Sequence, residues 1–157
     1  MGHLFHELAG SCKATPCKEE CVALSNGKPF CINGKCPTSW QINGEKKYCF
    51  VNNSLNWQAA KDSCTWMESH LLEIESEDEQ TWIQIKTSGN RWWMGGTDEE
   101  SEGTFHWKYS KTTLNYTNWL KGEPNGGTAE NCLEMRPEGL WNDKPCYYSI
   151  YYICEKR

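Results

Sequence analysis

The rhythm of apolar residues changes several times along this chain, and each rhythm predicts an element. Trp40 to Ile42 and Lys46 to Val51 flank Asn43-Gly44, the dipeptide that most readily closes a two-residue hairpin, so a first pair of strands is expected there. From Asn56 to Met67 the apolar positions Trp57, Ala60, Cys64 and Met67 fall at helical spacing, with Asn56 placed to cap the first turn. Ser76 and Glu79 form the S-x-x-E capping pattern ahead of a second helix, which carries Trp82, Ile83 and Ile85 to Lys86 and stops before Gly89-Asn90. Trp92-Trp93-Met94-Gly95-Gly96 reads as a buried strand. Cys146 to Cys154 reads as another, with Tyr148, Ile150 and Tyr152 alternating against Tyr147, Tyr151 and Ile153. Between these two strands regular patterning almost vanishes in a stretch rich in Gly, Asn, Glu and Trp. A long irregular segment inside a compact domain is usually functional.

Composition shifts at Cys36-Pro37 and divides the chain into residues 1–35 and 36–157. The first part holds Cys12, Cys17, Cys21 and Cys31 among few apolar residues, so it needs disulfides to keep a shape. Cys17 and Cys21 would share one face of a helix from Lys18 to Leu24, ended by Asn26-Gly27, and Asn33-Gly34 predicts a hairpin turn. The 157 residues suit one domain with a small appendage. Ten cysteines, an even count, point to five disulfides formed in an oxidising compartment and hence to a secreted, extracellular protein. No stretch approaches the roughly 18 apolar residues of a membrane span. Met1 to Gly10 lacks the basic start and apolar centre of a secretory signal, so the mature form is expected. A formal charge of -5 argues against nucleic acid or an anionic membrane as the partner.

The irregular stretch concentrates oxygen donors. Glu123-Pro124-Asn125, Glu130-Asn131-Cys132 and Trp141-Asn142-Asp143 stand in it in that order. Glu123, Asn125, Glu130, Asn142 and Asp143 offer carboxylate and amide oxygens without sulfur or imidazole, a set that selects calcium over zinc. Calcium takes about 6 to 8 ligands, so these five with one backbone carbonyl would leave about two positions for an outside molecule. A sugar hydroxyl can bind the ion, accept from an Asn amide and donate to a Glu carboxylate at once. Glu123 with Asn125, and Glu130 with Asn142, would then hold two vicinal hydroxyls.

With the cysteines in register, these motifs resemble the C-type lectin carbohydrate-recognition domain over Cys36 to Arg157. Cys36-Pro37, Trp40 and Tyr48-Cys49-Phe50 resemble the family's long-form opening. Trp93-Met94-Gly95-Gly96 resembles its central W-I-G-L strand, with Gly96 in place of Leu. The resemblance implies an α+β fold with two helices, short antiparallel sheets and a long calcium-organised loop region. It implies disulfides Cys36 to Cys49, Cys64 to Cys154 and Cys132 to Cys146, leaving three ways to pair the other four. It implies a cis Glu123-Pro124 bond, and E-P-N with W-N-D implies mannose-class sugars: mannose, glucose, N-acetylglucosamine and fucose. A second calcium set would comprise Asp98, Glu102, Glu130 and Asn131, although Gly126 stands where members that bind this ion well place an Asp.

The resemblance further implies recognition without turnover, of mannose-type glycans on glycoproteins or microbial surfaces, as in innate immunity. Single sites of this kind hold a monosaccharide near about 1 mM, so a homo-oligomer, linked through cysteines of residues 1–35, is expected to supply avidity. Other classes compete with it. The acids could face solvent in a merely polar loop; lectin-like domains also bind proteins or ice; Glu123 and Glu130 could serve a glycosidase. Residues 1–35 could instead carry a toxin or antimicrobial activity. Trp119 and Trp141 are expected to support the loop rather than stack on sugar.

Overall fold

The computed structural model describes residues 35–87 and 89–157, together with the backbone of two short strands, Cys21–Ala23 (β1) and Pro29–Cys31 (β2). β1 and β2 pair antiparallel with Val22 opposite Phe30, so the helix expected from Lys18 to Leu24 is overturned where it is described. A helix that short is marginal alone, and Val22 and Phe30 are both strand formers. Asn33-Gly34, Cys12 and Cys17 lie outside the described residues.

From Gln41 onward the chain builds one sheet. Its strands are Gln41–Asn43 (β3), Lys46–Leu55 (β4), His70–Leu71 (β5), Trp92–Thr97 (β6), His106–Trp107 (β7), Cys132–Met135 (β8), Trp141–Lys144 (β9) and Ile150–Lys156 (β10). The order is β3-β4-β10-β6-β8-β9, with β5 added to β10 and β7 to β6. Every ladder is antiparallel, as expected, except β10 against β6, which is parallel. In the first hairpin Asn43 pairs with Lys46, so Gly44-Glu45 form the tight turn and Gly44 takes the positive φ of 63° that it requires.

Two helices cover the sheet. Trp57–Trp66 (α1) starts where expected: Asn56 Oδ1 accepts the Ala59 N–H at 2.9 Å, and Trp57, Ala60 and Cys64 are buried. Glu77–Thr87 (α2) is capped by Ser76 Oγ on the Glu79 N–H at 3.2 Å. The capping pattern closes differently from expectation, because Glu79 Oε1 accepts the Glu75 N–H while its Oε2 is drawn to Lys46 and Tyr48.

Strand alternation divides the core in two. Tyr48 and Phe50 of β4 join Ile83, Trp92 and Met94 in one cluster, while Cys49 and Val51 point oppositely to Trp57, Ala60 and Trp93. The buried indoles are satisfied: Trp57 Nε1 donates to Met94 O at 2.8 Å and Trp93 Nε1 to Leu55 O at 2.9 Å. Gly96 has a packing reason, since a Cβ there would stand 2.5 Å from Leu133 Cδ2 and 3.0 Å from Leu133 Cβ. Among the described residues the disulfides are Cys36 to Cys49, Cys64 to Cys154 and Cys132 to Cys146, as the resemblance implied.

Two expectations need correction. The last strand starts at Ile150 rather than Cys146; Cys146 is tied to Cys132 and to the Trp57 N–H, and Tyr147 and Tyr148 turn outward on the bend that follows. The interval before it holds β7, β8 and β9, with irregular chain concentrated between β7 and β8.

Candidate functional site

Aromatic residues hold the irregular segment to the sheet. Trp141, fully buried, meets Trp107, Tyr116 and Trp119 edge-on at 5.8, 5.8 and 6.1 Å between ring centroids. Phe105 packs on Trp119 at 5.1 Å, and Trp141 Nε1 donates to Gln80 Oε1 at 2.9 Å. The loop is also stitched by backbone: Leu120 N donates to Trp141 O and Trp141 N to Asn118 O, each at 2.8 Å. Trp119 and Trp141 are therefore supports, as expected.

From this base the chain turns into the acidic motif. Glu123 N donates to Leu120 O at 2.9 Å, the Glu123-Pro124 bond is cis, and the loop then meets β9. Asp143, 1% exposed, accepts the Asn125 N–H on Oδ1 at 3.3 Å and the Gly126 N–H on Oδ2 at 2.8 Å. A short turn at Gly127–Ala129 brings Glu130 back, its N–H on Gly127 O. As a result Glu123, Glu130 and Asp143 each offer a carboxylate oxygen, all within 4.8 Å of one another.

Carboxylates that close repel one another when charged. The Glu123 carboxyl is pushed up to about 7, by burial first and then by a shared hydrogen bond with Asp143 and the charges of Asp143 and Glu130, against the Asn125 N–H. Glu130 is also raised, by burial and by Asp143 and Glu134, with Lys144 opposing. Glu123 Oε2 is buried with no hydrogen-bond partner among the described residues. A dense set of oxygens, one of them unsatisfied, is what a hard divalent cation fits, because it screens the repulsion and takes the free lone pairs.

Of the five expected residues, the structure thus gathers the three carboxylates. Asn125 lies on the same loop through its backbone contact with Asp143, and Asn142 is the neighbour of Asp143 on β9. The second set is partly assembled. Asp98 N donates to Asn131 O at 3.2 Å and Asp98 Oδ2 accepts the Gly103 N–H at 2.9 Å, leaving Asp98 Oδ1 and Asn131 Oδ1 buried without partners. Glu102 is raised by partial desolvation, then by the charge of Asp98, a hydrogen bond to it and the charge of Asp143. Among the described residues, however, no third acid joins Asp98 and Glu102 within the spacing that unites Glu123, Glu130 and Asp143. Gly126 could not carry an Asp in this arrangement, since its Cβ would overlap the Glu130 side chain.

Two residues beside the site were missed from the sequence. Glu134 on β8 is wholly buried; its Oε1 accepts from Asn142 Nδ2 at 2.9 Å and from Arg91 Nη1 at 2.7 Å. The only signal was a lone charge between Leu133 and Met135.

The Lectin C-type domain model matches residues 53–156. A curated relative, hepatic lectin of Gallus gallus, is 38% identical over 74% of this chain, which spans 58% of that relative's length. Among solved structures, the mouse scavenger receptor C-type lectin carbohydrate-recognition domain has a TM-score of 0.74 and 35% identity, covering 78% of this chain and 96% of that one. A calcium-independent type II antifreeze protein has a TM-score of 0.70 and 28% identity, covering 77% and 93%. The chain belongs to the C-type lectin domain family. Its relatives include lectins, its fold is that of the non-enzymatic carbohydrate-recognition domains, and the glycosidase alternative falls with that. Calcium binding is typical of the family but not universal within the fold. No helix among the described residues is long and apolar enough to cross a membrane.

Proposed function

We propose that this protein binds mannose-class sugars in a calcium-dependent manner through Glu123, Asn125, Glu130, Asn142 and Asp143. The observation that carries the reading is the convergence of three carboxylates with a buried, unpartnered oxygen on Glu123. Bound calcium would supply two open coordination positions for adjacent hydroxyls. Glu123 and Glu130 accept the hydroxyl protons, and the amides of Asn125 and Asn142 donate to the hydroxyl oxygens, so every hydrogen-bonding valence of the diol is met. Asp143 braces the loop through the Asn125 and Gly126 N–H groups while keeping a carboxylate in the cluster. The fold alone would not support this reading, since the calcium-independent antifreeze protein shares it. The donor set supports it.

Asp98, Glu102, Glu130 and Asn131 belong to the same proposal as a second, weaker calcium set, favoured by the two unpartnered oxygens there. Residues 1–35 would form an extension that links copies of the 36–157 domain, and the partners would be glycans met outside the cell. The test is a glycan array run in calcium and again in EDTA. Mannose, glucose, N-acetylglucosamine and fucose terminated glycans should bind in the first and vanish in the second. Binding that survives the chelator, or is confined to galactose, would overturn the reading.

A further inference from the structure

Asn142 is an expected ligand whose side-chain amide has a fixed side-chain partner behind it. Its amide faces Glu134 across the β8 to β9 ladder, where the two residues are directly opposed. Glu134 Oε1 takes both the Asn142 Nδ2 hydrogen at 2.9 Å and the Arg91 guanidinium at 2.7 Å. Its Oε2 is buried without a hydrogen bond, with the Lys144 ammonium 3.9 Å away. Glu134 is 0% exposed whereas Arg91 is 38% exposed, so the carboxylate is sunk into the sheet and reached by a cation from the surface.

Stability does not explain such a residue. A buried ion pair often adds nothing over apolar side chains of similar volume, and this one leaves Glu134 Oε2 without a hydrogen bond. Orientation does explain it. A carboxylate accepts and cannot donate, so only the NH2 end of the Asn142 amide can face it. One amide hydrogen is thereby fixed on Glu134, which leaves the other hydrogen and the carbonyl oxygen for the site. We infer that Glu134, held by Arg91, is a positioning residue that fixes the Asn142 amide with its carbonyl oxygen turned to the metal and its second N–H turned to the sugar. The inference rests on the proposed function for what the amide then meets, while the orientation itself rests on the Asn142 to Glu134 hydrogen bond.

The experiment compares Glu134→Leu, Glu134→Thr and Glu134→Gln with the parent protein. In metal-free protein, NMR follows exchange of the Asn142 side-chain amide with water, assigned by its loss in Asn142→Asp. In a second arm, calcium is titrated and mannose binding measured. Glu134→Leu should expose the amide to fast exchange and weaken calcium binding by roughly 10-fold, the scale on which partners behind a metal ligand act. Glu134→Thr, too short to reach Asn142, should do the same if the leucine variant fails to fold. Glu134→Gln keeps an Oε1 able to accept from both Asn142 and Arg91, and should retain slow exchange and calcium affinity within about 3-fold. Parent-like exchange and affinity in the leucine or threonine variant would overturn the inference, as would a glutamine variant as impaired as the leucine one. A parent protein that ignores calcium would sink the proposed function instead, and the exchange measurement would still decide what Glu134 does.

Discussion

Lys46 stands among three carboxylates, its Nζ 3.3 Å from Glu75, 2.9 Å from Glu79 and 3.2 Å from Glu155. Glu123, Glu130 and Asp143 crowd as closely at the other acidic cluster, where Asp143 is met by backbone N–H groups instead. In each cluster burial pushes one acid up to about 7, Glu155 in the first and Glu123 in the second. The neighbours differ in sign. Lys46 pulls Glu155 down, whereas Asp143 and Glu130 push Glu123 further up. Around Lys46 the oxygens are also used, since Glu155 Oε1 accepts the Glu73 N–H at 2.7 Å and Glu79 Oε2 the Tyr48 hydroxyl at 2.9 Å. Around Glu123 an oxygen is left over. A perturbed carboxyl alone therefore says little about function; whether the chain brings its own cation separates a post inside the fold from a socket.

The largest expected effect is on the post. Lys46→Met leaves Glu79 and Glu155 buried without their cation and should cost about 3 kcal/mol in urea unfolding, with calcium affinity of the folded protein unchanged. Weakened calcium binding at unchanged stability would erase the contrast. Next comes the socket. Glu123→Gln should weaken calcium and mannose binding on the order of 100-fold by calorimetry, while metal-free stability holds or rises as repulsion with Asp143 and Glu130 is relieved. A large loss of metal-free stability would make Glu123 a structural residue.

Acid should separate the clusters further. Calcium needs Glu123 ionised, but without metal this group keeps its proton up to about 7, so protons compete and calcium affinity falls as pH drops through that value. Mannose retention at fixed calcium should be lost between pH 7 and about 5, with proton release on calcium binding at pH 6; flat retention to pH 4.5 would contradict this. The smallest effect belongs to Glu155. Its folded value near 7 lies above the ordinary 4.5, so its contribution is present below 4.5 and lost as pH rises through 7. Metal-free stability should slope downward over that window, and Glu155→Gln should flatten the slope by on the order of 1 kcal/mol, read from urea midpoints at pH 5 and 8.

The sequence showed the helices more clearly than the strands beside the site. Trp57, Ala60, Cys64 and Met67 announced α1 because that helix buries one apolar stripe. β8 and β9 stayed hidden because their inward positions include Glu134 and Asp143, charges that break the alternation by which strands are recognised. The acidic motif was legible as ligand chemistry, whereas the burial of Asp143 and the hold of Glu134 on Asn142 arise from pairings across the sheet. Glu79 gives the same lesson: its capping role was local, and its attraction to Lys46 lies 33 residues away in sequence.

The aromatic footing of the loop has a consequence for how the protein would be used. Trp107, Trp119 and Trp141 clasp the segment from beneath through ring contacts. Emptying the socket would not require the surrounding chain to melt, nor refilling it to fold anew. On the proposed reading, sugar would leave where protons are plentiful and bind again on neutralisation, cycle after cycle, with little hysteresis.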